Sequence, residues 1–204
     1  MDYLEYQERV EQVIRAQHLD PVEVENAINN YTTRVENAVT CLKSRPLTFK
    51  FPYVGTSGGK DSIVVSHLAR QALYDDISHL HTVKPGVTHP KTIQFMYEQN
   101  LPTLYLPKDF LPPAGFKTQI DGTRRAEWNR TDGRSTDVII EGKTVSREQM
   151  TQYVRHGLFG LNFVFPILEW SDAEVWHYIF ENKLPFSDEY LEDKDENVIA
   201  PGAK

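Results

Sequence analysis

The stretch Phe49-Lys50-Phe51-Pro52-Tyr53-Val54-Gly55-Thr56-Ser57-Gly58-Gly59-Lys60-Asp61-Ser62-Ile63-Val64-Val65-Ser66-His67-Leu68-Ala69 decides how the chain is read. Phe49 to Gly55 is apolar and aromatic, as a buried strand is, while Ile63 to Ala69 is apolar without Gly or Pro, as suits a helix packed on a sheet. Between them, Gly58 and Gly59 permit close backbone approach and unusual φ/ψ, so consecutive N–H groups can face one anion. A helix beginning near Ser62 presents its positive end to the same point. Lys60 adds a full positive charge, and Ser57 and Ser62 add hydroxyl donors at the two lips. The run Ser57-Gly58-Gly59-Lys60-Asp61-Ser62 therefore predicts a loop that cradles phosphate or sulfate. It is not the Walker loop, which would place Gly where Lys60 stands and Lys where Asp61 stands, so kinase-like γ-phosphoryl transfer is disfavoured. Asp61 has three readings: it orients Lys60, coordinates Mg2+ on the phosphates, or caps the helix.

Working outward, His79 to Val83 reads as a second strand, Lys91 to Gln99 as a helix and Thr103 to Leu106 as a third strand. Alternating strands and helices imply an α/β fold with a parallel sheet. Ahead of the loop, apolar residues recur at helical spacing from about Tyr3 to Leu42, broken at Asp20-Pro21, where Asp20 can cap and Pro21 can start a second helix. This predicts a helical hairpin in front of the sheet. After Pro112-Pro113 the pattern weakens, and Lys108 to Arg134 reads as mobile. Asp137 to Val145 reads as a small hairpin turning at Glu141-Gly142 or Gly142-Lys143. Phe163 to Ile167 reads as a strand, and Ser171 starts a helix running through Phe180 with Asp172 and Glu174 in its first turn. The division expected is a helical appendage over 1–45, a nucleotide-binding α/β domain over 46–190 and an acidic tail over 191–204.

The totals narrow the partners. Among 204 residues, 40% are apolar and 11% aromatic, enough for a sizeable core, and the net charge of −7 argues against general nucleic-acid binding. A single cysteine, Cys41, forms no intramolecular disulfide and no cysteine-cluster metal site; beside Leu42 on an apolar helix face it reads as a small buried hydrophobe. There is no apolar run of about 18 residues, and the acidic start Met1-Asp2-Tyr3-Leu4-Glu5 is unlike a signal peptide, so cytoplasm is the default expectation and a membrane is not. His79 and His81 share one face of their strand at metal-pair spacing, but no acid or thiol cluster stands beside them, and no metal site is assigned. Trp170 and Trp176 read as core packing.

The loop with Tyr53 to Ser62 around it resembles the PP-loop of the adenine-nucleotide α-hydrolase superfamily. Gly122-Thr123-Arg124-Arg125-Ala126-Glu127 with Arg130, the run Phe165 to Ile179 and Leu184-Pro185 narrow this to a resemblance to the phosphoadenosine phosphosulfate (PAPS) reductase family, including the small subunit of sulfate adenylyltransferase. It covers roughly residues 50 to 190. The resemblance implies a Rossmann-like sheet flanked by helices that binds ATP, with Mg2+, or PAPS or adenylyl sulfate, the loop lying around the phosphate or sulfate end. Arg124, Arg125 and Arg130 also have a reading of their own: guanidinium forks that fold over a bound nucleotide as a lid, or a solvated basic turn.

The match breaks in two places. Reductases of this family attack with a cysteine near the C-terminus, whereas Cys41 has no cysteine after it; the iron–sulfur ligands of some relatives are missing too. After the second strand the family often has an Asp-Thr-Gly-like turn; here Val83-Lys84-Pro85-Gly86-Val87 keeps Gly86 and loses the carboxylate. Three functions remain. The first is an enzyme that cleaves ATP between the α and β phosphates, with sulfate or another acceptor taking the adenylyl group; Lys60, Asp61, Arg124 and Arg125 would carry catalysis, and Ser57, Gly58, Gly59, Lys60, Asp61, Ser62, Gly86 and Arg130 would bind nucleotide. The second is a sulfonucleotide-binding reductase relative lacking its own thiol. The third is a non-catalytic nucleotide-binding subunit that docks on a partner, or on a second copy, through its N-terminal helices.

Overall fold

Asp20 and Pro21 break the N-terminal helical run as their chemistry requires. In the computed structural model, which describes residues 3–43, 51–83, 90–98, 103–107, 115–126, 138–140, 143–145, 153–156 and 161–193, α1 spans Tyr3–Ala16 and α2 spans Pro21–Lys43. The Asp20 carboxylate accepts the Val22 N–H at 2.7 Å, which caps α2. The two helices share the protein's main core: Val13, Ala38, Cys41 and Leu42 are buried in one cluster with Val64, Leu68 and Trp176. Cys41 is thus the small buried hydrophobe expected.

The stretch around Ser57 to Ser62 folds as β1 (Pro52–Thr56) followed by α3 (Lys60–Ala72). Then come β2 (Ser78–Val83), α4 (Pro90–Glu98), β3 (Thr103–Pro107) and β4 (Thr118–Ile120). A separate two-stranded hairpin pairs β5 (Val138–Ile140) with β6 (Lys143–Val145). The chain closes with β7 (Tyr153–His156), β8 (Leu161–Val164) and α5 (Asp172–Glu181). The main sheet has the order β3-β2-β1-β4-β8-β7. Its strands run parallel except β7, which pairs antiparallel with β8 at the edge. This is the Rossmann-like sheet flanked by helices expected from the sequence. The chain leaves β1 for β2 on one side, while β4 lies on the other, so the order reverses at β1 and β4. Open parallel sheets bind ligands at such a point, outside the carboxyl ends of the strands.

The structure corrects several expectations. α3 starts at Lys60, two residues before Ser62, so the lysine itself opens the helix. β8 ends at Val164, and residues 166–169 turn. Two strands, β4 and β7, had no counterpart in the sequence reading. β4 is only Thr118-Gln119-Ile120, too short to show a period, yet it lies between β1 and β8 in the middle of the sheet, with Thr118 and Ile120 buried. The reading of Lys108 to Arg134 as mobile therefore fails over its described part, 115–126. There the Asp121 N–H donates to the Val164 carbonyl at 2.9 Å and the Arg125 N–H to the Leu168 carbonyl at 2.7 Å.

His79 and His81 point into the core, where each has a hydrogen-bond partner: Ser66 Oγ lies 2.6 Å from His79 Nε2, and the Thr56 carbonyl lies 2.5 Å from His81 Nδ1. Trp176 and Trp170 are buried as expected. Burial first, and the Arg70 charge second, push the His79 imidazole down to about 4. It is neutral in the folded protein and titrates near 6.5 once unfolded. Its contribution is therefore complete above about pH 6.5 and is lost as the pH falls toward 4, amounting to about 3 kcal/mol. The melting temperature is expected to drop between pH 6.5 and 4. His79→Gln should reduce that slope, to which His67 and His177, which burial also lowers, contribute as well.

Candidate functional site

Gly58 has φ +77°, the left-handed region that glycine adopts freely, and this turns the backbone between β1 and α3. Three consecutive N–H groups then meet hydroxyl oxygens. Gly58 donates to Thr56 Oγ1 at 3.2 Å, Gly59 to Ser57 Oγ at 3.3 Å and Lys60 to Tyr190 Oη at 3.0 Å. Gly59 is the N-cap of α3 and supplies no side-chain cap. These N–H groups lie just before and at the start of α3, at the helix's positive end, which favours an anion, and here each is held by a neutral hydroxyl.

Hydrogen bonds show what two side chains of this loop do in the structure. Ser62 is not a lip donor: it is buried, accepts from Thr56 Oγ1 at 3.2 Å and donates to the Gly59 carbonyl at 2.8 Å, bracing the loop from inside. Asp61 does not cap α3; its Oδ2 accepts from Lys60 Nζ at 2.8 Å.

Asp61 also links the loop to the segment after β4. Its Oδ1 accepts from Arg124 Nε at 2.6 Å, and Arg124 NH2 donates to Asp172 Oδ1 at 2.7 Å. Lys60 Nζ lies 3.1 Å from the same Asp172 oxygen. Lys60, Asp61, Arg124 and Asp172 thus form one ring of alternating charge at the carboxyl ends of β1 and β4. Lys60 is 9% exposed and Arg124 4%. Burial works to lower the Lys60 ammonium, but Asp61 and Asp172 outweigh it and hold the group above its ordinary value. Lys60 is therefore a fixed cation, not a base. Its stabilising pairing is complete below about pH 10 and is lost only as the pH rises through the raised value.

The turn after β4 is built for close approach. A Cβ on Gly122 would lie 2.8 Å from the Asp61 carbonyl carbon and 2.9 Å from its oxygen. The Asp121 carboxylate shapes the same turn, accepting from the Thr123 N–H at 2.9 Å, from Thr123 Oγ1 at 2.6 Å and from Gln119 Nε2 at 2.8 Å. Arg124 is thereby delivered on a rigid loop, and the expectation that it belongs to a folding lid is corrected. Arg125 turns to Glu169, with Nε 2.9 Å from Oε1, and is not among the residues joined around Lys60. Gly86 and Arg130 lie outside the described residues.

Sequence reasoning missed two residues of the site. Asp172 was read only as an acid in the first turn of α5, where Ser171 and Glu174 do form the expected capping box. Tyr190 has no local pattern at all, since it comes from a 3-10 turn at Asp188–Leu191 far along the chain. A cavity of about 610 Å3 lies apart from the ring, with Tyr6, Arg9, Phe95, Lys183, Phe186 and Asp188 in its wall.

Comparisons with known proteins agree with this architecture. The fold is a Rossmann-like α/β fold with a mostly parallel sheet flanked by helices. A Candida glabrata FMN adenylyltransferase structure in complex with FAD and pyrophosphate is similar over 91% of this chain and 68% of its own, with TM-score 0.60 and 12% identity. Yeast FAD synthetase in complex with FAD is similar over 91% and 70%, with TM-score 0.61 and 15% identity. A PAPS reductase from Candida auris, a phosphate complex, is similar over 84% and 91%, with TM-score 0.54 and 13% identity. No protein-family model and no curated protein matches the chain. Among the described residues, no helix is long and apolar enough to cross a membrane.

Gly122→Ala tests the close approach directly. Because backbone atoms of Asp61 and Ser62 stand in the way, no side chain can swing aside to relieve the clash. The variant is expected to lose about 1–3 kcal/mol in urea unfolding.

Proposed function

We propose that this protein cleaves ATP between the α and β phosphates and passes the adenylyl group to an anionic acceptor, releasing pyrophosphate. One observation carries the reading: a row of loop N–H groups and two buried cations, Lys60 and Arg124, converge at the carboxyl end of β1, where the strand order reverses. Likeness in fold to FMN adenylyltransferase and FAD synthetase, one of them holding FAD and pyrophosphate, supports this chemistry over reduction. The sole cysteine, Cys41, is buried in the core and supplies no exposed thiol.

The chemistry asks little covalent work of the protein. An acceptor oxygen already carrying negative charge attacks the α-phosphorus; the new oxygen–phosphorus bond forms as the bond to the bridging oxygen breaks, and that oxygen leaves with the electron pair on pyrophosphate. No general base is required. Charge accumulates on the leaving group, where the loop N–H groups and the Lys60 ammonium would hold it in place. Arg124 keeps Asp61 and Asp172 oriented and adds positive charge from behind. Mg2+, entering with ATP, would neutralise phosphate charge; the nearest carboxylates, Asp61 and Asp172, already pair with Lys60 and Arg124 and would have to give up part of that pairing to hold it. The acceptor is best sought among sulfate and phosphomonoesters such as flavin mononucleotide.

The test is pyrophosphate release from Mg-ATP, with flavin mononucleotide and with sulfate supplied in turn. Lys60→Ala is expected to lower the rate about 100-fold or more while the protein stays folded. Tight PAPS binding without pyrophosphate release from ATP would favour a sulfonucleotide-binding role instead.

A further inference from the structure

Tyr190 is far from the phosphate loop in sequence and sits on it in space. Its hydroxyl accepts the Lys60 N–H at 3.0 Å, and a Cβ on Gly59 would lie 3.2 Å from the same oxygen. The ring packs edge-on against the buried Trp176, centroids 5.1 Å apart. Burial, foremost, holds the phenol well above its ordinary range, so it is a neutral hydroxyl at any physiological pH.

The turn that carries Tyr190 is tied down mainly from α1. Gln12 Nε2 donates to the Leu191 carbonyl at 3.1 Å and Gln17 Nε2 to the Tyr190 carbonyl at 3.1 Å. Arg9 pairs with Asp188 at 2.7 Å and stacks on Phe186 at 4.9 Å from the ring centroid. Lys91 of α4 pairs with Glu192. The Asp188 and Glu192 side chains are 59% and 37% exposed, and ion pairs so open to water stabilise little. The ion pairs are therefore cheap to break, whereas the packing of Tyr190 and Leu191 on the core is the larger part of what holds the turn.

We propose that the Asp188–Leu191 turn is an autoinhibitory strap: the Tyr190 hydroxyl takes the Lys60 N–H that an oxyanion ligand needs, and the ligand binds by displacing it. The proposal rests on the reading of the loop as a phosphate site. One N–H makes one good hydrogen bond, and a charged phosphate oxygen is a stronger acceptor than a phenol, so a ligand can win the exchange. The cost of lifting the strap is subtracted from its affinity. Since α1 holds the turn, contacts that move α1 change that cost.

The strap predicts a sign opposite to that of an ordinary binding residue. Calorimetric titration with sodium pyrophosphate compares the wild-type protein with Tyr190→Phe, with Arg9→Gln and with Lys60→Ala, each checked for folding by circular dichroism. Tyr190→Phe is expected to bind about 3- to 10-fold tighter, because the competing hydrogen bond is gone. Arg9→Gln, which loosens the strap without touching the loop, should shift affinity in the same direction. Weaker or unchanged binding by Tyr190→Phe overturns the strap, the former because the hydroxyl would then be a ligand contact. If Tyr190→Phe does not fold, Arg9→Gln decides on the same criterion. No binding by any form removes the phosphate site and the strap with it; Lys60→Ala, which loses the ammonium and keeps the backbone N–H, is expected to bind more weakly. Weaker binding by Lys60→Ala alongside unchanged Tyr190→Phe removes only the strap.

Discussion

The region around the loop from Ser57 to Ser62 depends on the neutralisation of Lys60. An ammonium buried to this degree costs several kcal/mol unless carboxylates meet it, and here Asp61 and Asp172 do so from two different elements. Arg124 supplies the fourth charge and binds both carboxylates, so the net charge of the ring is zero while its positive groups stay fixed. Removing any one member leaves a charge of the ring uncompensated. The ring therefore also staples α3, the turn after β4 and the start of α5 to one another.

That stapling explains why the neighbouring features look as they do. Gly122 has no side chain because the turn carrying Arg124 must pass against the backbone of Asp61. Asp121 and Gln119 fix the turn from below, and Tyr53 donates to Gln119 Oε1 at 2.8 Å to hold that amide in place. On the other side, Arg34 of α2 reaches Glu174 of α5 at 2.7 Å, so the N-terminal helices brace the helix that presents Asp172. Each contact serves to place a charge at the switch point of the sheet.

The sequence made much of this legible, for identifiable reasons. β1, the loop and α3 were readable because apolar runs flank a glycine pair, and the cap at Asp20 and the box at Ser171 and Glu174 are local chemistry. β4 was not, since three residues between weak flanks carry no period, and its place in the sheet is set by β1 and β8. Arg124 was picked out as a phosphate fork, but its burial against Asp61 is a tertiary fact that no spacing reveals. Asp172 and Tyr190 approach the loop from more than a hundred residues away, so only folding shows that they belong to it.

The central claim is that the Gly58, Gly59 and Lys60 N–H groups receive a nucleotide phosphate. Amide chemical shifts of the 15N-labelled protein, followed as Mg-ATP is added, test it most directly. The account predicts that those three amides shift most, downfield and saturably, with Arg124 side-chain signals following. Saturable shifts centred elsewhere, such as on the cavity beside Arg9 and Phe186, or no shifts at millimolar ATP, would contradict it.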